Sequence, residues 1–96
     1  MKPIKRIEIV IAEEQAERLL HSLEEIPLSG YTIIKDVSGR GDRGERSEEG
    51  LGLFSNHYIL IACPESDVEA IIDKLRPTLR RFGGICLVSD AQWLIH

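Results

Sequence analysis

In the first third of the chain, a strand-like alternation of apolar residues is followed by a helix-like apolar stripe. This succession of a strand and a helix is the feature that limits the possible folds most strongly. In residues 4–11, Ile7, Ile9 and Ile11 alternate with residues that point to the opposite side, which predicts a strand. Residues 13–26 are predicted to form a helix, because their apolar positions recur every three or four residues. These positions are Ala16, Leu19, Leu20, Leu23 and Ile26.

The remainder of the chain adds three more strands and a second helix. Residues 31–37 and 57–63 are rich in β-branched and aromatic side chains, which favour strands. Gly83 and Gly84 are expected to end the preceding helix, and residues 85–88 are predicted to form a short last strand.

Between these strands, residues 66–82 carry the apolar stripe of a second helix. Ser66 and Glu69 are spaced as a capping box, which predicts that the helix begins at Ser66. Pro77 lies inside the stripe, and its ring is expected to kink the helix or restart it.

The predicted order is therefore β-α-β-β-α-β, the ferredoxin-like arrangement of the α+β class. It places two helices on one face of a four-stranded antiparallel sheet, in a single domain that spans residues 1–96. The opposite face would still carry apolar side chains such as Val10, Ile34, Tyr58 and Leu60. A sheet that is apolar on both sides needs a second cover, so we expect another copy of the chain to provide it.

The connection between the second and third strands is the most unusual part of the sequence. Residues 38–54 contain five glycines, three arginines and four acidic residues in 17 positions. A β-hairpin normally uses two to five linking residues, and long connections in compact domains usually bind something. We therefore expect a flexible loop whose glycine amides and arginines meet an anionic ligand. The G-x-G-x-x-G match at residues 39–44 does not indicate a Rossmann site, because no helix follows it.

Composition excludes several functions. The net charge of −4 argues against a general nucleic-acid binder, which needs a basic surface. No apolar run approaches the roughly 20 residues that cross a bilayer, and no signal peptide is evident. Two cysteines in separate strand-like segments are expected to be buried thiols in the cytoplasm.

Two segments resemble the PII superfamily of signalling proteins. The run Gly30-Tyr31-Thr32-Ile33 and the glycine-rich turn after it are similar to the strand that leads into the signalling T-loop of that family. Residues 82–90, read as FGGICLVSD, are similar to the last strand of PII-like proteins that act in inorganic-carbon handling and with transporters. This branch lacks the lysine-rich loop with which standard PII proteins hold ATP.

The resemblance implies a regulatory homotrimer, not an enzyme, with effector sites in the clefts between subunits. It implies that AMP, ADP or cyclic AMP, in preference to ATP, binds there without any required cofactor, and bicarbonate is a further effector. The T-loop, residues 38–54, would contact a target protein such as a membrane transporter, without membrane insertion and without nucleic acid. The residues that match the nucleotide site are Thr32, Gly39, Arg40, Gly41, Arg43, Gly83 and Gly84.

Several alternatives stay open. A ligand-free interaction module of the same fold is the main one. An acylphosphatase-like enzyme would need a basic first loop, but the loop here, Ala12-Glu13-Glu14, carries two acidic residues and no basic one. An RNA-recognition domain would display aromatic residues on its first strand, which has none. The three histidines lack the spacing of a metal site. Ser47 beside Arg46 is a candidate for phosphorylation, whereas the uridylylation known in the family has no tyrosine acceptor in the loop.

Overall fold

The structure is a computed structural model that describes residues 1–28, 30–41, 44–45 and 55–94. Its helices are α1 (Glu13–Leu23) and α2 (Glu65–Phe82). Its strands are β1 (Lys2–Ala12), β2 (Thr32–Val37), β3 (Arg40–Gly41), β4 (Gly44–Glu45), β5 (Asn56–Cys63) and β6 (Ile85–Trp93).

Four of these strands form one antiparallel sheet in the order β2-β5-β1-β6. The central strand β1 pairs with both neighbours, so that Ile7 lies opposite Ile61 of β5 and Val88 of β6. Apart from the short β3–β4 ribbon, the order of elements is β-α-β-β-α-β. The predicted ferredoxin-like α+β fold is confirmed.

The core lies between the sheet and the two helices. Every second residue of β5 and of the second half of β1, from Ile7 onward, faces the helices and is almost fully buried, as the alternation in the sequence predicts. From the helices, the apolar stripe supplies the other half of the core. The core consists of Ile7, Ile9, Ile11, Ala16, Leu19, Leu23, Ile59, Ile61, Cys63, Ile71 and Leu75.

The other face of the sheet, which we call the open face, has no cover within the described residues. Ile34, Ile85 and Leu87 lie on it with 52%, 52% and 58% of their surface exposed. Their cross-strand partners Tyr58, Val10 and Glu8 mark the same side, because residues opposite each other in an antiparallel pair share a face. The open face is therefore apolar, as the sequence predicts.

Two element boundaries differ from the sequence-based prediction. Helix α1 ends at Leu23, three residues early, because the amides of Glu24 and Ile26 bond to the carbonyls of His21 and Leu23 in tight turns. Strand β6 continues to Trp93 instead of ending at residue 88. Its second half pairs with residues 2–6 of β1, a long-range contact that local sequence does not reveal.

The predicted start of the second helix was wrong. Helix α2 begins at Glu65 with Pro64 as its N-cap, and no side chain caps it. Ser66 is therefore already inside the first turn, and the amide of Asp67 bonds to the carbonyl of Pro64 at 3.0 Å. The helix also runs through Pro77 to Phe82 without a restart.

The two thiols differ in their surroundings. Cys63 is buried and Cys86 is half-buried, and both are free. Burial raises the pKa of each thiol, which keeps both of them protonated at neutral pH.

Neither described helix has the length and apolar character needed to cross a membrane.

Candidate functional site

The base of the loop at residues 38–54 is held by a small polar group at the end of β2. Ser55 Oγ donates to Asp36 Oδ1 at 2.7 Å, and the Asp36 amide lies 3.5 Å from His57 Nδ1. The backbone of Asp36 is left-handed, with φ 58°, where β2 departs from regular pairing with β5. Such strain in a residue other than glycine is common beside functional segments. We call Asp36, Ser55 and His57 the neck.

The neck is also tied to the first helix. The amide of Glu13, at the start of α1, donates to the carbonyl of Ser55 at 2.9 Å. Asp36 precedes the loop and Ser55 follows it, so the hydrogen bond between them closes its two ends. The two ends of the loop are therefore held at a fixed position beside the N-terminus of α1.

Within the loop, the described residues form a short ribbon. Strand β3 pairs with β4, so that Arg40 lies opposite Glu45 and Gly41 opposite Gly44. The sequence predicted no regular structure in this segment. Arg43 and Ser47 lie outside the described residues. For Gly39, a Cβ atom would meet nothing within 4 Å, so this position is open.

The other predicted group, Gly83 and Gly84, forms the turn between α2 and β6. Gly83 has φ 82° and donates its amide to the carbonyl of Leu79 at 2.9 Å, which ends the helix. Gly84 has φ 122°, and a Cβ atom there would lie 2.5 Å from Ile11 Cγ2 and 2.8 Å from the Val10 carbonyl oxygen. Both positions require glycine, and Gly84 allows the turn to approach β1 closely.

These two groups lie at the same end of the sheet but at opposite edges. Val37, just before the loop, pairs with Asn56, which pairs with Ala12 at the end of β1. Val10 pairs with Ile85, directly after the glycine turn. Three strand spacings separate β2 from β6, roughly 14 Å in a flat sheet. The loop base and the glycine turn of one chain therefore do not form a single pocket.

Thr32 belongs to neither group. It lies at the start of β2, exposed and paired with Leu60 on the open face. Five residues of strand, roughly 16 Å, separate it from Val37 at the loop base. Within one chain, the structure brings Gly39 close to Arg40 and Gly41, and Gly83 close to Gly84, and leaves Thr32 apart.

A polar group on the open face was missed by the sequence analysis. Tyr58 Oη donates to Glu8 Oε2 at 2.8 Å, and this bond, with partial burial, raises the pKa of the Tyr58 phenol. Arg6 Nε lies 3.3 Å from Glu8 Oε1 and donates to Ser89 Oγ at 3.2 Å. We call Arg6, Glu8, Tyr58 and Ser89 the open-face cluster. The sequence places Arg6 and Glu8 on one side of β1, but only the strand pairing brings Tyr58 and Ser89 to them.

A concave surface lies between α2 and β6, with a volume of about 500 Å³. Its lining includes Val68, Ile72, Val88 and Lys5. Lys5 is paired with Asp90 and lies 4.0 Å from Glu65, so its charge is balanced. The cleft is lined by two cations, Lys5 and Arg76, and by three carboxylates, so it offers no excess positive charge to a phosphate. Across the part of the chain that the structure describes, no three histidine, cysteine or acidic residues converge as a metal site would need.

Comparison with known proteins relates the whole fold to one family. The family model described as nitrogen regulatory protein P-II matches residues 4–94. A search of curated proteins finds no significant match.

Solved structures support the same relationship. CPII from Thiomonas intermedia K12, a nitrogen regulatory PII-like protein bound to ADP, AMP and bicarbonate, matches with a TM-score of 0.83 at 26% identity over 98% of this chain and 96% of that one. CPII bound to ADP and bicarbonate matches with a TM-score of 0.82 at 28% identity, over 95% and 88% of the two chains. A candidate PII-like signalling protein from Thermus thermophilus shares the fold, with a TM-score of 0.75 at 24% identity over 97% and 91%.

The family model covers all but five residues of the chain, and both the strand order and the loop after β2 lie inside the matched region. This chain therefore belongs to the nitrogen regulatory protein P-II family.

Proposed function

We propose that this protein is a PII-like regulator that binds an adenine nucleotide between two copies of itself and signals through residues 38–54. The observation that carries the proposal is the separation of the two candidate groups. The loop base and the Gly83–Gly84 turn lie at one end of the sheet but at opposite edges. A ligand that uses both groups needs the loop of one copy beside the glycine turn of the next.

The proposed ligands follow from charge and from the relatives. Glycine amides and the guanidinium groups of Arg40 and Arg43 suit phosphate oxygens. The turn between α2 and β6, residues 83–84, consists of glycine alone and carries no lysine that could add charge for a third phosphate. CPII is described with bound ADP, AMP and bicarbonate. We therefore propose AMP, ADP or cyclic AMP as effector in preference to ATP, with bicarbonate as a second ligand. Thr32 is proposed to contribute to the base pocket.

The exposed open face supports assembly. Ile34, Ile85 and Leu87 are each more than half exposed, on a face that no described element covers. We propose that three copies cover these faces for one another, which would also bring opposite sheet edges together.

The protein would act in the cytoplasm on a target protein, for which a membrane transporter is our candidate, and it would perform no catalysis.

Isothermal titration with AMP, ADP, ATP, cyclic AMP and bicarbonate tests the proposal. We expect binding of at least one adenine nucleotide. Arg43→Ala should weaken that binding by about 1.5–3 kcal/mol, because it removes a charge-assisted hydrogen bond. Arg18→Ala on α1 is the matched control and should leave the affinity unchanged.

The result also separates the two candidate functions. If none of the five ligands binds, the protein is better described as a ligand-free interaction module of the same fold. If a nucleotide binds equally well to Arg43→Ala and to the control variant, the protein still binds a nucleotide, but Arg43 is not one of the residues that bind it.

A further inference from the structure

The open-face cluster is a charged group at the centre of an apolar surface. Arg6 and Glu8 lie in the middle of β1, between Tyr58 of β5 and Ser89 of β6. Exposed apolar side chains lie around it, including Ile34, Ile85 and Leu87. Charged side chains are usually depleted from the centre of a protein interface, so a pair at this place needs a specific reason.

Inside one chain, each oxygen of Glu8 has one partner, whereas the terminal nitrogens of Arg6 have none among the described residues. Glu8 uses one oxygen for Tyr58 and the other for Arg6, and 27% of its side chain remains exposed. Arg6 uses only Nε, towards Glu8 and Ser89. Its two terminal nitrogens have no hydrogen-bond partner among the residues that the structure places, and 49% of its side chain is exposed. A guanidinium group with free donors and a carboxylate with free acceptor capacity therefore lie side by side.

This arrangement is complementary to itself. In a closed ring of three copies, the Glu8 carboxylate of each copy can accept from the free nitrogens of Arg6 of the next copy, so that every Arg6 finds an acceptor. Among the paired positions of the open face, Glu8 is the sole carboxylate, and Arg6 and Lys2 are the cations. The negative charge of the whole chain, −4, therefore does not oppose contact through this face.

We propose that the open-face cluster determines the register and the partner of self-association: Arg6 of one copy binds Glu8 of a neighbouring copy. The inference rests on the assembly that is part of the proposed function, and it adds the residues that select the partner. The apolar side chains supply the driving force for association, whereas the cluster rejects surfaces without a matching acceptor, because Arg6 would then be buried unpaired.

The first test compares Arg6→Met with Arg18→Met. Both changes remove one positive charge and keep an apolar stem, but Arg18 is an exposed residue of α1 in the helix layer. Dissociation on dilution is followed by mass photometry or analytical ultracentrifugation. We expect Arg6→Met to raise the dissociation constant at least about 30-fold, the usual effect of leaving one member of a buried ion pair alone. Arg18→Met should behave as the unchanged protein does.

The second test exchanges the charges. Arg6→Glu and Glu8→Arg each bring like charges together across the interface, so each variant alone should associate weakly. An equimolar mixture should restore association in part, because two of the three contacts in a mixed ring of three then join a carboxylate to a guanidinium group. Native mass spectrometry should show these mixed assemblies. A cluster that acts only within its own chain cannot be rescued by mixing.

The outcomes distinguish this inference from the proposed function. Association of Arg6→Met at the level of Arg18→Met would overturn the inference, and so would separate charge variants that stay weak when mixed. Circular dichroism shows whether the exchanged variants fold; if they do not, the comparison of Arg6→Met with Arg18→Met decides. Nucleotide binding by an assembled Arg6→Met protein would leave the proposed function intact, whereas a monomeric unchanged protein would contradict the assembly itself.

Discussion

Gly39 and Gly84 were assigned to the same nucleotide site, but they have different local constraints. A Cβ atom on Gly39 would meet nothing within 4 Å. On Gly84 it would meet the Ile11 side chain and the Val10 carbonyl, at a φ of 122°. The first glycine can therefore serve a ligand or a moving backbone, whereas the second is already required by packing between the α2–β6 turn and β1.

This difference predicts distinct effects on stability. Gly84→Ala should lower the free energy of unfolding by about 2 kcal/mol or more, because it combines a strained φ with contact to backbone that cannot move away easily. Gly39→Ala, the control, should stay within about 0.5 kcal/mol of the unchanged protein. Urea unfolding at one protein concentration measures both. Equal stability of the two variants would contradict the close approach at Gly84.

At the scale of elements, α2 shows how tertiary contacts override a local signal. Pro77 cannot donate to the carbonyl of Asp73, and its ring crowds that turn, yet the helix continues to Phe82. Ile71 and Leu75 lie just before Pro77 and are fully buried against the sheet, and Leu79 packs on the same core. Their packing holds the helix together on both sides of the proline.

We therefore expect Pro77→Ala to stabilise the protein. The new alanine restores a backbone donor and removes the clash, which should raise the free energy of unfolding by about 1–3 kcal/mol, less whatever proline contributes by restricting the unfolded chain. Arg80→Ala, also exposed on α2, is the control and should change stability little. Thermal unfolding at fixed concentration tests this, and a less stable Pro77→Ala would show that the proline fits a local bend.

At the scale of the whole molecule, the two faces of the sheet have different partners. One face is covered by α1 and α2, and the other is open. Strand β6 contributes to both, because neighbouring residues point to opposite sides: Leu87 pairs with Glu8 on the open face, whereas Val88 pairs with Ile7 on the helix side. Leu87 and Val88 are 58% and 45% exposed, which makes them a matched pair.

The pair predicts a difference in assembly. The unchanged protein should have a mass near three times its 10.8 kDa chain mass by light scattering. Leu87→Asp should dissociate it, because the new carboxylate would be buried between copies beside Glu8. Val88→Asp adds the same charge on the other side and should leave the mass unchanged. If both variants keep the mass of the unchanged protein, the open face is not the interface.

The sequence by itself determined the fold class, because the periods of its apolar residues distinguish strands from helices and their order admits few topologies. It also identified the loop after β2, since its length and composition exceed what a hairpin needs, and two short segments pointed to the family that the comparisons confirm. Binding at the seven candidate residues stays a prediction.

Only the tertiary structure decided which distant residues meet. The extension of β6 to Trp93, the neck joining Asp36 to Ser55, and the open-face cluster all depend on strand pairing between residues at least 19 positions apart. The start of α2 at Glu65 was likewise set by the backbone at Pro64 and not by the apparent capping box. Local patterns record what a residue prefers, whereas register, which assigns each side chain its neighbours, is fixed only when the strands pair.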